Sequence, residues 1–327
     1  MIKVENLTKQ YTAVTAVDNI NFEVAEHEIL GFLGPNGAGK STTLRILTGY
    51  LSATSGKVSV DGHDVFAKPE AVKRVIGYLP ENVPLYPELR VTEYLDYRAA
   101  LKRVSRSKRR KAVDNAIDRC QIGDVRDRII GQLSKGYRQR VGLADTLVGD
   151  PKILILDEPT IGLDPNQIRQ VRDLINELGR ERTVILSSHI LPEVEAVCSR
   201  IQIIHKGKLV GQGKPEELRS RIAGKGVTIV AEVSDPDKSA EMALSEVEGV
   251  DRVSPPKPGK DGLVTYTIQA ETDRAVRERI FDVAVENGFK LVGLSTESAS
   301  LEDIFVQITT REEAGRDDTA DEKGDDA

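Results

Sequence analysis

The residues best suited to chemistry lie in two short stretches. From Gly34 to Ser41 the chain reads Gly, Pro, Asn, Gly, Ala, Gly, Lys, Ser, the pattern G-x4-G-K-[ST] of a phosphate-binding loop. It sits between an apolar run, Ile29–Leu33, and a helical stretch, Thr42–Leu47. Glycines let backbone N–H groups curl around a phosphate, and the helix that follows aims the positive end of its dipole at the same place. Lys40 then reaches the β- and γ-phosphates of a nucleotide and Ser41 ligates Mg²⁺, with Gly34, Asn36, Gly37, Gly39 and Thr42 completing the cradle. The second stretch, Ile153, Leu154, Ile155, Leu156, Asp157 and Glu158, places two carboxylates at the end of a buried strand, where open α/β sheets collect ligands. Asp157 suits Mg²⁺ and Glu158 suits a water molecule. Alone, such a strand end is more often the start of a loop; after a phosphate loop it reads as the second half of a nucleotide-hydrolysing site.

Positioning these groups calls for a parallel sheet with helices around it. Alternating runs such as Ile2–Leu7 and Ile20–Val24 predict strands with one buried face. Continuous apolar runs, Ile153–Leu156 and Thr183–Ser187, predict strands covered on both faces. Between about 90 and 132 the periodicity turns helical, with Tyr94, Leu95, Leu101, Val113 and Ile117 as the apolar positions of a helical insert. A basic cluster in that insert, Lys102, Arg103, Arg106, Lys108, Arg109, Arg110 and Lys111, reads as a solvated helical face. The expected domains are 1–224, then 225–310 beyond a hinge at Gly224, Lys225 and Gly226, and a disordered acidic tail over 311–327. The second domain reads strand, helix, strand, strand, helix, strand, the order of a ferredoxin-like fold. Its helix over Arg274–Glu286 should pack Val276, Ile280, Val283 and Ala284 on the sheet, and a short helix, Leu301–Gln307, should close it.

Between the two chemical stretches, Leu133, Ser134, Lys135, Gly136, Tyr137, Arg138, Gln139 and Arg140 resemble the signature motif of ATP-binding cassette (ABC) proteins, which other phosphate-loop nucleotidases lack. The resemblance covers roughly the first two thirds of the chain, and the second domain, with Leu301, Glu302, Asp303, Ile304 and Phe305, is similar to that of bacterial drug-efflux and gliding-motility ATPases. It implies an α/β phosphate-loop NTPase cassette with a helical subdomain. It also implies that Tyr11 stacks on adenine, that Asp164 in Gly162, Leu163 and Asp164 belongs to the loop after the carboxylate strand, and that His189 is the switch histidine. The family geometry is a head-to-tail dimer in which ATP lies between one copy's phosphate loop and the other's Ser134 and Gly136, coupled to an integral-membrane permease. Glu158, His189 and Lys40 are the implied catalytic groups; ATP and Mg²⁺ are the implied ligands, with Ser41, Glu81 and Asp157 at the metal. Two positions depart from the family. Glu81 stands where a Mg²⁺-contacting glutamine is usual, and Lys135 and Tyr137 replace the glycine and glutamine of the signature.

The bulk composition agrees with a folded, water-soluble chain: 327 residues, 39% hydrophobic and 30% charged, mean hydropathy −0.31. No apolar run approaches the ~18 residues of a membrane span, and the first residues lack a secretory signal. The chain is therefore expected in the cytoplasm, held at the inner face of the membrane through the permease. The tail carries eight acidic against three basic residues, all but one of the net −6 charges. The near-neutral body that remains has no broad positive field, so no nucleic acid is expected as partner. Cys120 and Cys198 read as reduced, partly buried thiols, and His27, His63 and His205 as surface or loop residues. A soluble cassette ATPase working on ribosomes or DNA is the alternative, disfavoured by the single cassette and the lack of a long coiled coil.

Overall fold

The computed structural model describes residues 1–222, 227–234, 240–258, 263–270 and 273–297. The chain divides into two compact units, Met1–Lys214 and Pro215–Ala327. The Gly224–Gly226 step, the helix expected at Leu301–Gln307 and the acidic tail lie outside the described residues.

The first unit opens with β1 (Ile2–Gln10) and β2 (Thr15–Val24), a hairpin closed at Tyr11 and Val14 by paired backbone hydrogen bonds. Then come β3 (Ile29–Leu33), α1 (Lys40–Leu47), β4 (Ser55–Val60), β5 (His63–Asp64), α2 (Pro69–Val75) and β6 (Ile76–Leu79). The helical insert contributes α3 (Val91–Leu101) and α4 (Arg106–Arg119), and α5 (Lys135–Leu147) leads back to the sheet. The unit closes with β7 (Ile153–Asp157), α6 (Pro165–Gly179), β8 (Thr183–Ser188), α7 (Leu191–Val197), β9 (Arg200–His205) and β10 (Lys208–Gly213). These strands form an antiparallel sheet in the order β2-β1-β4-β5 and a six-stranded sheet in the order β10-β9-β3-β8-β7-β6. In the second sheet β9, β3, β8, β7 and β6 run parallel, and β10 is antiparallel at the edge.

The burial patterns explain the sequence patterns. Every residue of β7 and β8 is buried, since both faces of a central parallel strand are covered and no polar alternation is needed. β2 alternates buried and exposed positions over Ile20–Val24, because one of its faces meets the core and the other solvent. The inner faces of the two sheets enclose α1. Leu44, Ile46 and Leu47 pack with Ile2, Val4 and Leu7 from one sheet and Ile153, Ile155 and Ile185 from the other. Phe22 meets Phe32 edge-on at 5.1 Å between ring centroids, a favoured aromatic geometry. Helix α1 thus starts from a rigid base, and the loop before it is held in place.

The helical insert is tied to α5 by a buried carboxylate. Asp145 accepts from Arg98 Nε at 2.9 Å and pairs with Lys102 Nζ at 3.0 Å, and Tyr94 Oη donates to it at 3.4 Å. Lys102 therefore turns inward, a correction to the solvated face expected for the whole basic cluster; Asp145 is a stronger partner than water for an ammonium beside it. Asp145→Ala would leave two cations facing a cavity with no counter-charge. It should lower unfolding stability by about 3 kcal/mol, read from denaturant unfolding, with a larger loss than for Arg103→Ala at the exposed pair with Glu70.

The second unit comprises α8 (Pro215–Ile222), β11 (Val227–Ser234), α9 (Ala240–Ser245), β12 (Val250–Val253), β13 (Lys257–Pro258), β14 (Val264–Ala270), α10 (Asp273–Glu286) and β15 (Lys290–Glu297). The antiparallel order β12-β14-β11-β15 places the first of the four main strands between the third and fourth, as the ferredoxin-like expectation requires. Val276, Ile280 and Ala284 are buried against Ile229, Ala231 and Tyr266, and Val283 packs partly against them.

Two expectations need correction. Cys120 and Cys198 are fully buried and unpaired with each other, and burial pushes the Cys120 thiol up to about 12, so it stays protonated and inert. His205 is neither loop nor free surface: it ends β9, half-buried, with both ring nitrogens out of solvent and unbonded among the described residues.

Candidate functional site

Strand register brings the chemical residues together. Leu33 at the end of β3 pairs with Ser188 of β8, Asp157 of β7 with Ser187, and Leu79 of β6 with Leu156. The loops following these strands, with Gly34, His189, Glu158 and Glu81, therefore leave from the same carboxyl edge of the sheet.

The loop after β3 closes on Gly39, which caps α1 at φ 110°, a left-handed conformation open to glycine. A Cβ at Gly39 would lie 2.5 Å from the Ala16 carbonyl oxygen, so the position admits no side chain. No side chain caps α1, and its first turn holds no acidic residue. Its leading N–H groups are left for an anion. Lys40 is 5% exposed; its ammonium donates to Gly34 O at 2.7 Å and Pro35 O at 3.2 Å and pairs with Glu158 Oε1 at 3.2 Å.

On the opposite wall, Asp157 is fully buried. Its Oδ1 accepts from Ser41 Oγ at 3.0 Å and Ser187 Oγ at 2.6 Å, while Oδ2 has no partner among the described residues. Ser187 Oγ also accepts from the Glu158 backbone N–H at 3.0 Å. That bond holds Glu158 at φ 48°, a left-handed backbone that costs a non-glycine residue ~1 kcal/mol or more and persists only when neighbours impose it. The imposed turn aims the Glu158 carboxylate at both Lys40 and His189, whose Nδ1 lies 2.9 Å from Glu158 Oε2. A cavity of about 280 Å³ is lined by Pro35, Asn36, Gly37, Gly39, Lys40, Ser41, Thr42, Glu81, Glu158 and Ile161. Glu81, the first departure from the family pattern, thus faces the same space as Ser41 and Lys40.

The other expected residues do not line this cavity. Tyr11 sits on the β1–β2 turn, 46% exposed, with the Lys9 ammonium 5.2 Å above its ring. Asp164 caps α6, accepting from the backbone N–H groups of Asn166 and Gln167, both at 3.0 Å. Ser134 caps α5, accepting from the Tyr137 N–H at 3.4 Å. Gly136 is packed so closely that a Cβ there would fall 2.2 Å from Gln167 Oε1, and the Lys135 side chain lies along Gly162. The signature segment therefore adjoins the Gly162–Asp164 loop, and neither Ser134 nor Gly136 lines the cavity. Sequence reasoning assigned no individual role to Ser187, Thr160, Gln139 and Glu193, whose contacts join segments 20 or more residues apart, or to Ser188, which bonds Glu193 five residues on.

The oxygen set can accept a divalent cation. Ser41 hydroxyl and the unpartnered Oδ2 of Asp157 are hard donors of the kind Mg²⁺ takes, and no cluster of three or more acidic, histidine or cysteine ligands occurs among the described residues. Mg²⁺ in such a place needs phosphate and water oxygens to complete its shell, which is its usual mode of binding.

Comparison with known proteins now decides the family. Residues 17–161 match the family described as "ABC transporter", and residues 213–309 match "ATP-binding protein DrrA1-3-like, C-terminal domain". The bacitracin transport ATP-binding protein BcrA of Bacillus licheniformis is 33% identical, aligned over 94% of this chain and 97% of that protein. The chain belongs to the ATP-binding proteins of ABC transporters. A second relative of this ABC ATPase, the linearmycin resistance ATP-binding protein LnrL of Bacillus subtilis, is 30% identical over 95% of this chain and 99% of its own. Among solved structures, the dimeric post-hydrolysis state of the ATP-binding cassette MJ0796 bound to ADP and Pi superposes with TM-score 0.61 at 27% identity, covering 65% of this chain and 98% of that one. This ABC ATPase accordingly binds and hydrolyses ATP as a subunit of a transporter. No helix among its described residues is long and apolar enough to cross a membrane.

Proposed function

We propose that this ABC ATPase powers the export of a drug-like or antibiotic compound through a separate membrane permease, working as a head-to-tail pair of copies at the inner face of the membrane. The observation that carries this reading is the convergence of Lys40, Ser41, Asp157, Glu158, His189 and Glu81 at one carboxyl edge, with Ser134 and Gly136 absent from the lining of the cradle's cavity. A single copy then has the phosphate cradle in one place and the signature segment in another, and a second copy completes each site. The relatives' names, bacitracin transport and linearmycin resistance, suggest the substrate class.

In this reading the α1 N–H groups and Lys40 hold the β- and γ-phosphates, and Tyr11 stacks on the adenine. Ser41, Asp157 and Glu81 hold Mg²⁺, which when bound offsets negative charge on the transferred phosphoryl group. Glu158 accepts a proton from the attacking water, and His189, bonded to Glu158, orients that carboxylate and faces the γ-phosphate. Lys40 must exchange its ion pair with Glu158 for phosphate oxygens, which frees the Glu158 carboxylate for water at the moment ATP arrives. Loss of the γ-phosphate then loosens the pair, and the different affinities of ATP and ADP for closed and open pairs drive the permease between two states. Asp164 and its loop belong to the same closing surface.

Ser134→Arg tests the paired arrangement, because it leaves the cradle untouched. It should abolish ATP-dependent dimerisation in size-exclusion chromatography and lower turnover at least about tenfold, with ATP affinity of the monomer within about threefold. A variant that still dimerised with ATP and turned over normally would remove the support for a site shared between copies.

A further inference from the structure

We infer that Glu193 is a positioning residue for hydrolysis: its buried carboxylate fastens the loop that follows Glu158 to the strand end that carries His189. Glu193 lies on α7, which packs on β3 and β8, and is 8% exposed. Its Oε2 accepts from the Thr160 hydroxyl and from Ser188 Oγ at 3.1 Å. Ser188 Oγ in turn accepts from the Ile190 N–H at 3.0 Å, so one hydroxyl fixes both flanks of His189. On its other side the same loop is gripped by α5, where Gln139 Nε2 donates to the Pro159 carbonyl at 2.9 Å. Pro159 and Thr160, the two residues directly after Glu158, are thus held from two helices.

The chemistry of the contact favours a positioning role over packing. No cation pairs with Glu193 among the described residues, and its Oε1 has no hydrogen-bond partner there. Burying an unpaired carboxylate is unfavourable, and a neutral side chain would fill the same space with less desolvation. A carboxylate oxygen accepts two hydroxyl donors at once, which an apolar residue cannot do. The segments so joined bear Glu158, in its left-handed backbone, and His189, 2.9 Å from it. If the loop is released at Thr160, Glu158 can relax toward an ordinary backbone and its carboxylate leaves His189.

The inference rests on the reading of Glu158 and His189 as the hydrolytic pair. Steady-state ATP hydrolysis and ATP titration on full-length Glu193→Ala, Glu193→Gln, Thr160→Val and Glu158→Gln test it. Glu193→Ala and Thr160→Val should each lower kcat by about 10- to 100-fold with ATP affinity within about threefold, since only the reacting geometry is disturbed. The double variant Glu193→Ala with Thr160→Val should be no slower than Glu193→Ala within about threefold, because Glu193→Ala already removes the one contact that Thr160→Val breaks. Glu193→Gln keeps an accepting oxygen and should recover to within about fivefold of the parent. The inference is overturned if Glu193→Ala or Thr160→Val runs within twofold of the parent, if their effects add, or if affinity falls in step with kcat. Should Glu193→Ala fail to fold, Thr160→Val and Glu193→Gln decide by the same limits. An inactive Glu158→Gln beside a fully active Thr160→Val sinks this inference alone; a fully active Glu158→Gln sinks the reading beneath it as well.

Discussion

Glu158→Gln should lower the rate of ATP hydrolysis by about 10²- to 10⁴-fold, the range a positioned general base contributes, while ATP still binds. The amide has the shape of the carboxylate and can keep a hydrogen bond to His189, but it cannot take a proton from water. Its effect on affinity has a definite sign. In the structure Glu158 Oε1 lies 3.2 Å from the Lys40 ammonium, so the carboxylate competes with phosphate for the same cation. Removing its charge releases Lys40, and ATP affinity should be unchanged or tighter. Single-turnover hydrolysis with ATP titration separates the two quantities. Turnover within a factor of ten of the parent would exclude Glu158 as the base, and a marked loss of affinity would contradict the competition at Lys40.

Lys40→Ala should act on binding as well as on turnover. A charge-assisted hydrogen bond contributes about 1.5–3 kcal/mol, so ATP affinity should fall by roughly 10- to 150-fold, and hydrolysis further, since charge on the γ-phosphoryl group rises in the transition state. The substitution also acts on the protein without nucleotide. It strips a 5% exposed glutamate of its cation and leaves the Gly34 and Pro35 carbonyls without their donor. Thermal unfolding of Lys40→Ala and Glu158→Gln should then differ: the first strands a buried charge, whereas the second removes the carboxylate and spares the Lys40 contacts to carbonyl oxygen. Equal ATP affinity in Lys40→Ala and the parent would refute the phosphate role. A melting temperature equal to that of the parent would show that the Lys40–Glu158 pair adds nothing to stability.

The cradle was legible because its chemistry is local. Gly39, Lys40 and Ser41 are neighbours in sequence, and the turn they form depends on glycine conformations and a helix start that any reader of the chain can see. The same holds for the Ile153–Asp157 strand, whose unbroken apolar run follows from being covered on both faces. Glu81 was half legible: the family resemblance implied a place at the metal, and its presence on the cavity wall with Ser41 emerged only from the pairing of β6 with β7. Lys102 was misread, because a lysine in a basic cluster looks solvated until a buried carboxylate from another helix, Asp145, is placed beside it.

The sequence by itself determined the class of chemistry and the elements that bear it, since the loop pattern, the acidic strand end, the signature segment and the hydrophobic periods are all short-range properties of the chain. Tertiary structure alone decided which groups touch. Ser187 meets Asp157 and the Glu158 backbone because β8 lies next to β7 in register, and Glu193 meets Thr160 because α7 folds back over the same edge. Contacts of this kind depend on strand order and register, which are settled by burying both sheet faces at once; no run of neighbouring residues carries that information.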